Sequence, residues 1–385
     1  MPDGKKKYKR ERLKQKAGNP ENGFHPVIKK TIPLLCLFYF RRMNRKHFLG
    51  TIASAGAFLL PSAGMAANTV TRRKERIVVP PYLVPGDLIG ISCPSGYIPE
   101  ADVLPAAALL ESWGFRVLKG TTVGKRDFTF GGTDDERTAD FQQMLDNQEV
   151  KAILCGRGGY GVVRMIDRLN FGTFMRAPKW IIGFSDITVF HNHLNHALHV
   201  ASVHSKMCNS FPSDWSKADA VQVETILSIK KALTGETMEY KALPDLRNRP
   251  GHGEGELVGG NLSILETLAG SVSDLDTKNK ILFVEDVGEP LYKIDRMFCN
   301  LLRTGKLEHL KGLLVGGFTS MKAETPGDEF GRSVQDIVWE KVKAFDFPVA
   351  FGFPVGHQKN NFALKCGIRH RLEVNGEITT LKEIK

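Results

Sequence analysis

From Asp87 onward, short apolar runs alternate with stretches whose apolar residues recur three and four positions apart, a pattern that predicts βα units around a parallel sheet. The strands it predicts in the first half are Leu88–Cys93, Phe115–Leu118, Val150–Cys155, Lys179–Phe184 and Val200–His204. Thr133 or Asp134 can cap a crossover helix running to Leu145, with Phe141 and Leu145 on one face. Residues 210–253 are rich in Pro, Asp, Lys and Arg around one helical piece, Ala218–Leu233, and read as a connection without a strong strand. The alternation then resumes with strands at Ile281–Glu285, Gly312–Phe318 and Pro348–Phe353. A helix over Ile294–Leu307 sets Ile294, Met297, Phe298, Leu301 and Leu302 on one core-facing stripe. The tail from Leu364 to Leu381 reads as a hairpin turning at Asn375-Gly376. The fold class is therefore α/β, with a parallel-sheet domain over residues 77–209, a linker over 210–253 and a second α/β domain over 254–385.

The formal charge of +11 would suggest nucleic acid or an anionic surface if it were spread over this fold. Residues 1–66 hold 14 of the 53 Lys and Arg but only 3 of the 42 Asp and Glu, leaving 39 of each in the remainder. The body is neutral, and no nucleic-acid partner is expected. Residues 43–66 read as a secretory signal, with Arg45 and Lys46 before an apolar run from Phe48 to Leu60 and small residues ending near Ala66. Arg45-Lys46-His47-Phe48-Leu49 is similar to a twin-arginine signal with Lys in place of the second Arg, so both export routes stay open. Export implies a periplasmic protein without stable membrane insertion once the signal is removed. The first 42 residues carry basic clusters and one apolar run, Ile32–Phe40, shorter than the roughly 20 residues a spanning helix needs. We read them as an extension from a misplaced start, with translation beginning at Met43. Beyond the signal stand Cys93, Cys155, Cys208, Cys299 and Cys366; their odd number and irregular spacing fit buried small residues better than a disulfide framework or a metal site.

Several segments could carry chemistry. Lys179–Phe184 runs into Gly183-Phe184-Ser185-Asp186-Ile187, a strand-to-helix turn able to lift a serine hydroxyl clear of the backbone; the second glycine of the usual elbow is replaced by Ile187. Ser185 is thus a nucleophile or an ordinary N-cap. After Val150–Cys155, Gly156-Arg157-Gly158-Gly159-Tyr160-Gly161 spells the dinucleotide fingerprint, but after a third strand rather than a first. It can bind a cofactor pyrophosphate, serve as a tight packing loop, or supply an oxyanion donor to the neighbouring turn. Ile281–Glu285 ends in the carboxylates Glu285 and Asp286, placed to orient a histidine or simply to be salt-bridged. Gly356-His357 follows another strand, where the imidazole is either a base or a surface residue. His191, His193, His196, His199 and His204 lack the carboxylate or cysteine of a recognisable ligand set and read as a solvated helix face.

Together the motifs converge. Pro85-Gly86-Asp87 leading into Ser92-Cys93-Pro94-Ser95, Gly131-Gly132-Thr133-Asp134-Asp135-Glu136-Arg137, the Arg157–Gly161 loop, Gly183–Asp186, Gly259-Gly260-Asn261-Leu262, Glu285-Asp286 with Ile294-Asp295-Arg296, and Gly352–His357 resemble, in content and order, the LD-carboxypeptidase family of serine peptidases, which includes the microcin-immunity peptidases. The resemblance spans about Val84 to Leu381. It implies a flavodoxin-like N-terminal domain, a C-terminal α/β domain with the active site in the cleft between them, and a homodimer. It matches Ser185 to the nucleophile, Glu285 to the orienting acid and His357 to the base, with the backbone N–H groups of Asp186 and Gly159 as oxyanion donors. The implied substrate is a murein tetrapeptide losing its terminal D-alanine, with Arg157 as the candidate group for the terminal carboxylate; no cofactor or metal is implied. The rivals are a related peptidase or amidase on other peptide or acyl conjugates, a dinucleotide enzyme using Gly156–Gly161, a glutamine-amidotransferase-like enzyme, which would need cysteine at position 185, and a non-catalytic wall-binding protein.

Overall fold

Thirteen strands gather into two sheets in the computed structural model, which describes residues 76–384; the signal and the extension before it lie outside the described residues. In the first sheet β1 (Leu88–Ser92), β2 (Arg116–Lys119), β3 (Val150–Cys155), β4 (Trp180–Gly183) and β5 (Ser202–His204) pair in parallel in the spatial order 2-1-3-4-5. This is the flavodoxin-like doubly wound order, in which ligands are met beyond the carboxyl ends of the strands. β1 and β4 are buried along their whole length and β3 at all but Lys151, as expected for strands covered on both faces. The outer edge of β5 is closed by an antiparallel strand from far along the chain, β11 (Leu364–Cys366).

The second sheet contains β6 (Glu239–Ala242), β7 (Gly251–Asn261), β8 (Ile281–Val287), β9 (Gly312–Thr319), β10 (Val349–Ala350), β12 (Arg369–Val374) and β13 (Thr379–Glu383), in the order 10-9-8-7-12-13-6. It is parallel from β10 to β7 and antiparallel beyond. The segment expected to lack strands therefore supplies an edge strand, β6, and the start of β7, besides the helix Ala220–Leu233 capped by Asp219. β7 escaped the sequence pattern because glycine stands at 251, 253, 255, 259 and 260. Gly253 and Gly255 lie against the backbone carbonyls of Lys311 and Asn279, where a side chain would not fit.

The anticipated crossover helix forms over Asp134–Asp146, and Thr133 is its cap, in a capping box with Glu136. The amphipathic helix spans Leu291–Arg303, burying Ile294, Met297, Phe298 and Leu301; it stops short of Leu307 because the chain turns through Gly305 at φ +73°. The tail hairpin joins β12 to β13, its turn held by Asn375 Oδ1 accepting from the amides of Glu377 and Ile378 at 2.9 and 2.8 Å. One hydrophobic core is shared between the sheets, bringing Ile89, Trp180 and Val203 of the first together with Phe283, Leu314 and Leu372 of the second. Phe283 is fully buried within it, its ring 5.0 Å from that of His204. Phe283→Ala should lower stability by about 3–5 kcal/mol; urea unfolding measures this, and a loss below ~1 kcal/mol would contradict a shared core at this point.

Candidate active site

The chain leaves β4 through Gly183, passes Phe184 in an extended conformation and reaches Ser185 at φ +64°. A 3-10 turn, Ser185–Ile187, then leads into a short helix, Thr188–Asn192. A left-handed serine costs of order 1–3 kcal/mol and persists only where the surroundings hold it. They do so here from below. A Cβ at Gly183 would stand 2.8 Å from Ile187, so glycine at this one place lets the turn close over an isoleucine that is wholly buried. The elbow therefore needs no second glycine, since its position is filled by core.

Three of the residues singled out in the sequence meet above this turn. The Nε2 atom of His357 is 3.2 Å from the Oγ of Ser185, and its Nδ1 is 2.6 Å from the Oε2 of Glu285. The same Oε2 accepts the backbone N–H of His357 at 3.0 Å, so one carboxylate oxygen fixes both the main chain and the ring. Glu285 is fully buried, while the imidazole keeps 19% of its exposure. The register of β8 against β9 shifts between Val284 and Asp286, the kind of ladder irregularity that re-aims a side chain, and Glu285 sits there. His357 follows Gly356, at φ +99°, and its carbonyl accepts from the Thr319 hydroxyl at 2.8 Å. A Cβ at Gly356 would stand 2.5 Å from the Oε2 of Glu285. Only glycine lets the histidine come this close.

The glycine loop lies alongside. A Cβ at Gly158 would be 3.1 Å from the Oγ of Ser185, so Gly158 lies close beside the hydroxyl and leaves no room there for a side chain. Gly159 and Gly161 have φ of +124° and +143°. The loop is fixed to the elbow by the Asp186 carboxylate, which accepts the Val162 N–H at 2.9 Å; burial pushes this carboxyl above its ordinary range. It is fixed from outside by Arg137, a fully buried guanidinium that donates to the carbonyls of Gly161 and Pro94 and pairs with Asp134. After the loop the chain makes only two 3-10 turns, Val162–Arg164 and Ile166–Arg168, so a pyrophosphate would find no α-helix N-terminus there. Arg157 is exposed and turned to the Tyr97 carbonyl at 3.2 Å.

Residues 89–205 match the model of the LD-carboxypeptidase N-terminal domain and residues 254–372 that of the LD-carboxypeptidase C-terminal domain. The chain belongs to the LD-carboxypeptidase family. Among its relatives, a probable murein peptide carboxypeptidase of Bacillus subtilis is 32% identical over 293 residues, covering 75% of this chain and 90% of the relative. A murein tetrapeptide carboxypeptidase of Pseudomonas aeruginosa is 32% identical over 286 residues, covering 71% and 89%. The crystal structure of a muramoyltetrapeptide carboxypeptidase from Oxalobacter formigenes superposes with a TM-score of 0.69 at 29% identity, over 77% of this chain and 99% of that one.

Other parts of this family member were not foreseen. Asn261, at the end of β7, donates its Nδ2 to Asp286 at 2.9 Å, and its backbone N–H goes to the Thr188 hydroxyl at 3.1 Å. A Cβ at Gly260 would be 2.5 Å from the same hydroxyl, so the second sheet rests on the residue three beyond Ser185. The Gly259–Leu262 motif carried this signal without indicating its purpose. The histidine run is not a solvated face: His191, His193 and His204 are buried, because the helix after the elbow lies between packed layers. His191 spans the Gly183 carbonyl at 2.8 Å and the Ser202 hydroxyl at 2.9 Å, and burial holds its pKa down at about 4. His199 lies beyond the helix at φ +52°. The five cysteines are free, and all but Cys299 are buried. Among the described residues no cluster of potential ligands could hold a metal ion, and no helix is long and apolar enough to cross a membrane.

Two outcomes follow from this packing. Gly356→Ala should cost about 1–3 kcal/mol through overpacking against Glu285; an unchanged urea midpoint would contradict the contact. Asp286 accepts from Asn261, Ser263 and Val287 at 2.8–2.9 Å, yet burial pushes its pKa up to about 6. Because the unfolded value is about 3.9, the folded state holds this proton more tightly. Its contribution to stability is present below about pH 4 and is lost as the pH rises through about 6. Unfolding free energies of wild type minus Asp286→Asn should therefore decline between pH 4 and pH 7; a flat difference would place the Asp286 pKa at its ordinary value.

Proposed function

We propose that this LD-carboxypeptidase family member is a serine carboxypeptidase that releases the terminal D-alanine of murein tetrapeptides, with Ser185 as nucleophile, His357 as base and Glu285 as the orienting acid. The observation that carries the reading is the run of contacts from the Ser185 hydroxyl through both ring nitrogens of His357 to Glu285. In this mechanism Nε2 takes the serine proton as Oγ attacks the scissile carbonyl. The Asp186 and Gly159 amides are the donors for the charge that the carbonyl oxygen gains, since backbone N–H groups fixed by the fold stabilise such charge without reorganising at the moment of reaction. His357 then returns the proton to the nitrogen of the departing D-alanine, and the acyl-serine is cleared by a water that His357 deprotonates. Glu285 keeps the Nδ1 proton in place and stabilises the imidazolium that forms at each step. The names of the relatives support murein peptide as the substrate. Export through the 43–66 signal and assembly as a homodimer belong to the same reading: the first rests on the sequence of that segment and the second on the family resemblance.

Purified protein incubated with murein tetrapeptide should release free D-alanine. Ser185→Ala and His357→Ala should each lower kcat by roughly 10⁴-fold or more. Equal release by wild type and both variants would overturn the proposal.

A further inference from the structure

Just beyond β5 the chain runs beside the elbow and the glycine loop, with Ser205 N–H bonded to the Gly183 carbonyl and Asn209 N–H to the Gly156 carbonyl. Between them stands Lys206, a half-buried cation that no reading of the sequence had marked. Its Nζ donates to the Gln358 carbonyl, one residue past His357, at 2.7 Å, and lies 5.6 Å from the centre of the Phe184 ring. The same ring is 4.9 Å from that of His357. The ammonium and the imidazole therefore flank one phenylalanine, next to Ser185.

Lys206 forms no ion pair with a carboxylate among the described residues. Burial pulls its pKa down, opposed only by the attraction of Glu285, whose Oε2 is already engaged by His357. An ammonium has three N–H donors, and one is used. Lys206 also lines a concavity of about 540 Å³ with Asn209, Ser210, Phe211, Asp219 and Lys359, within the size range of small-molecule sites. The other cation there, Lys359, is paired with Asp219 at 2.5 Å. A half-buried charge with a single carbonyl acceptor is costly to maintain, and a ligand anion would complete its shell.

We infer that Lys206 is the specificity-determining residue that receives the terminal carboxylate of the peptide being cut. This rests on the proposed carboxypeptidase reaction, in which that carboxylate lies one residue beyond the scissile carbonyl and must be held next to the serine. Arg157, to which the sequence pointed for this task, is exposed and engaged with the Tyr97 carbonyl instead.

The test pairs murein tetrapeptide ending in free D-alanine with the same peptide ending in D-alanine amide. In Ser185→Ala protein, calorimetry should show the acid binding about 10- to 100-fold more tightly than the amide, the worth of a charge-assisted hydrogen bond. Adding Lys206→Gln should abolish that preference, and Lys206→Arg should retain most of it. With Ser185 intact, Lys206→Gln should raise KM for the acid by a similar factor while leaving kcat and its pH profile nearly unchanged. Equal binding of acid and amide by Ser185→Ala would overturn the inference, as would a preference that survives Lys206→Gln. A fall in kcat with a shifted pH profile and unchanged selectivity would also overturn it, reducing Lys206 to electrostatic support of Glu285. If D-alanine is never released but the Lys206-dependent preference is found, the hydrolase reading fails and the carboxylate site stands.

Discussion

Glu285 is a carboxylate with no exposure to water, and two N–H groups of a single residue, His357, hold one of its oxygens. A charge so placed is tolerable only while those donors stay within reach, because losing both leaves an anion desolvated and unpaired. The arrangement of the site follows from that requirement. The strand irregularity at Glu285, the glycine at 356 and the bond from Thr319 to the His357 carbonyl all bring one loop of the second sheet close against β8.

The Ser185 side of the cleft obeys a different constraint. Its strained serine is supported by apolar packing, with Ile187 beneath the turn, rather than by charge. The two sides are registered against each other through Thr188, whose hydroxyl receives the Asn261 amide. A polar contact between sheets sits one helical turn from the hydroxyl it helps to place, and Asp286 holds Asn261 in turn. Electrostatic demands on one side and steric ones on the other therefore meet in a few ångströms, all at the carboxyl ends of strands.

Much of this was legible in the residues. Long apolar runs marked β1, β3 and β4 because strands buried on both faces need continuous hydrophobicity. The Leu291–Arg303 helix announced itself by its stripe. β7 did not, since close approach to neighbouring backbone demands glycines and these erase the strand signal. The proximity of Ser185, Glu285 and His357 followed from motif order and family resemblance, not from any local pattern, because each motif alone fits a bland role. The histidine run misled for a related reason: helical spacing says which residues share a face, not whether that face meets solvent or a second layer. Lys206 was invisible, because a lone lysine after a strand carries no pattern and its meaning lies in the partners it lacks.

The strand β11 gives the molecule a mechanical property that its order in the chain conceals. It comes from the last quarter of the sequence, yet it is hydrogen-bonded to β5 and closes the first sheet, while the hairpin that follows it returns to the second. The polypeptide thus crosses between the sheets three times, from β5 to β6, from β10 to β11 and from β11 to β12, and is stitched down on each side. Swinging the two halves apart like a clamshell would have to unzip that pairing.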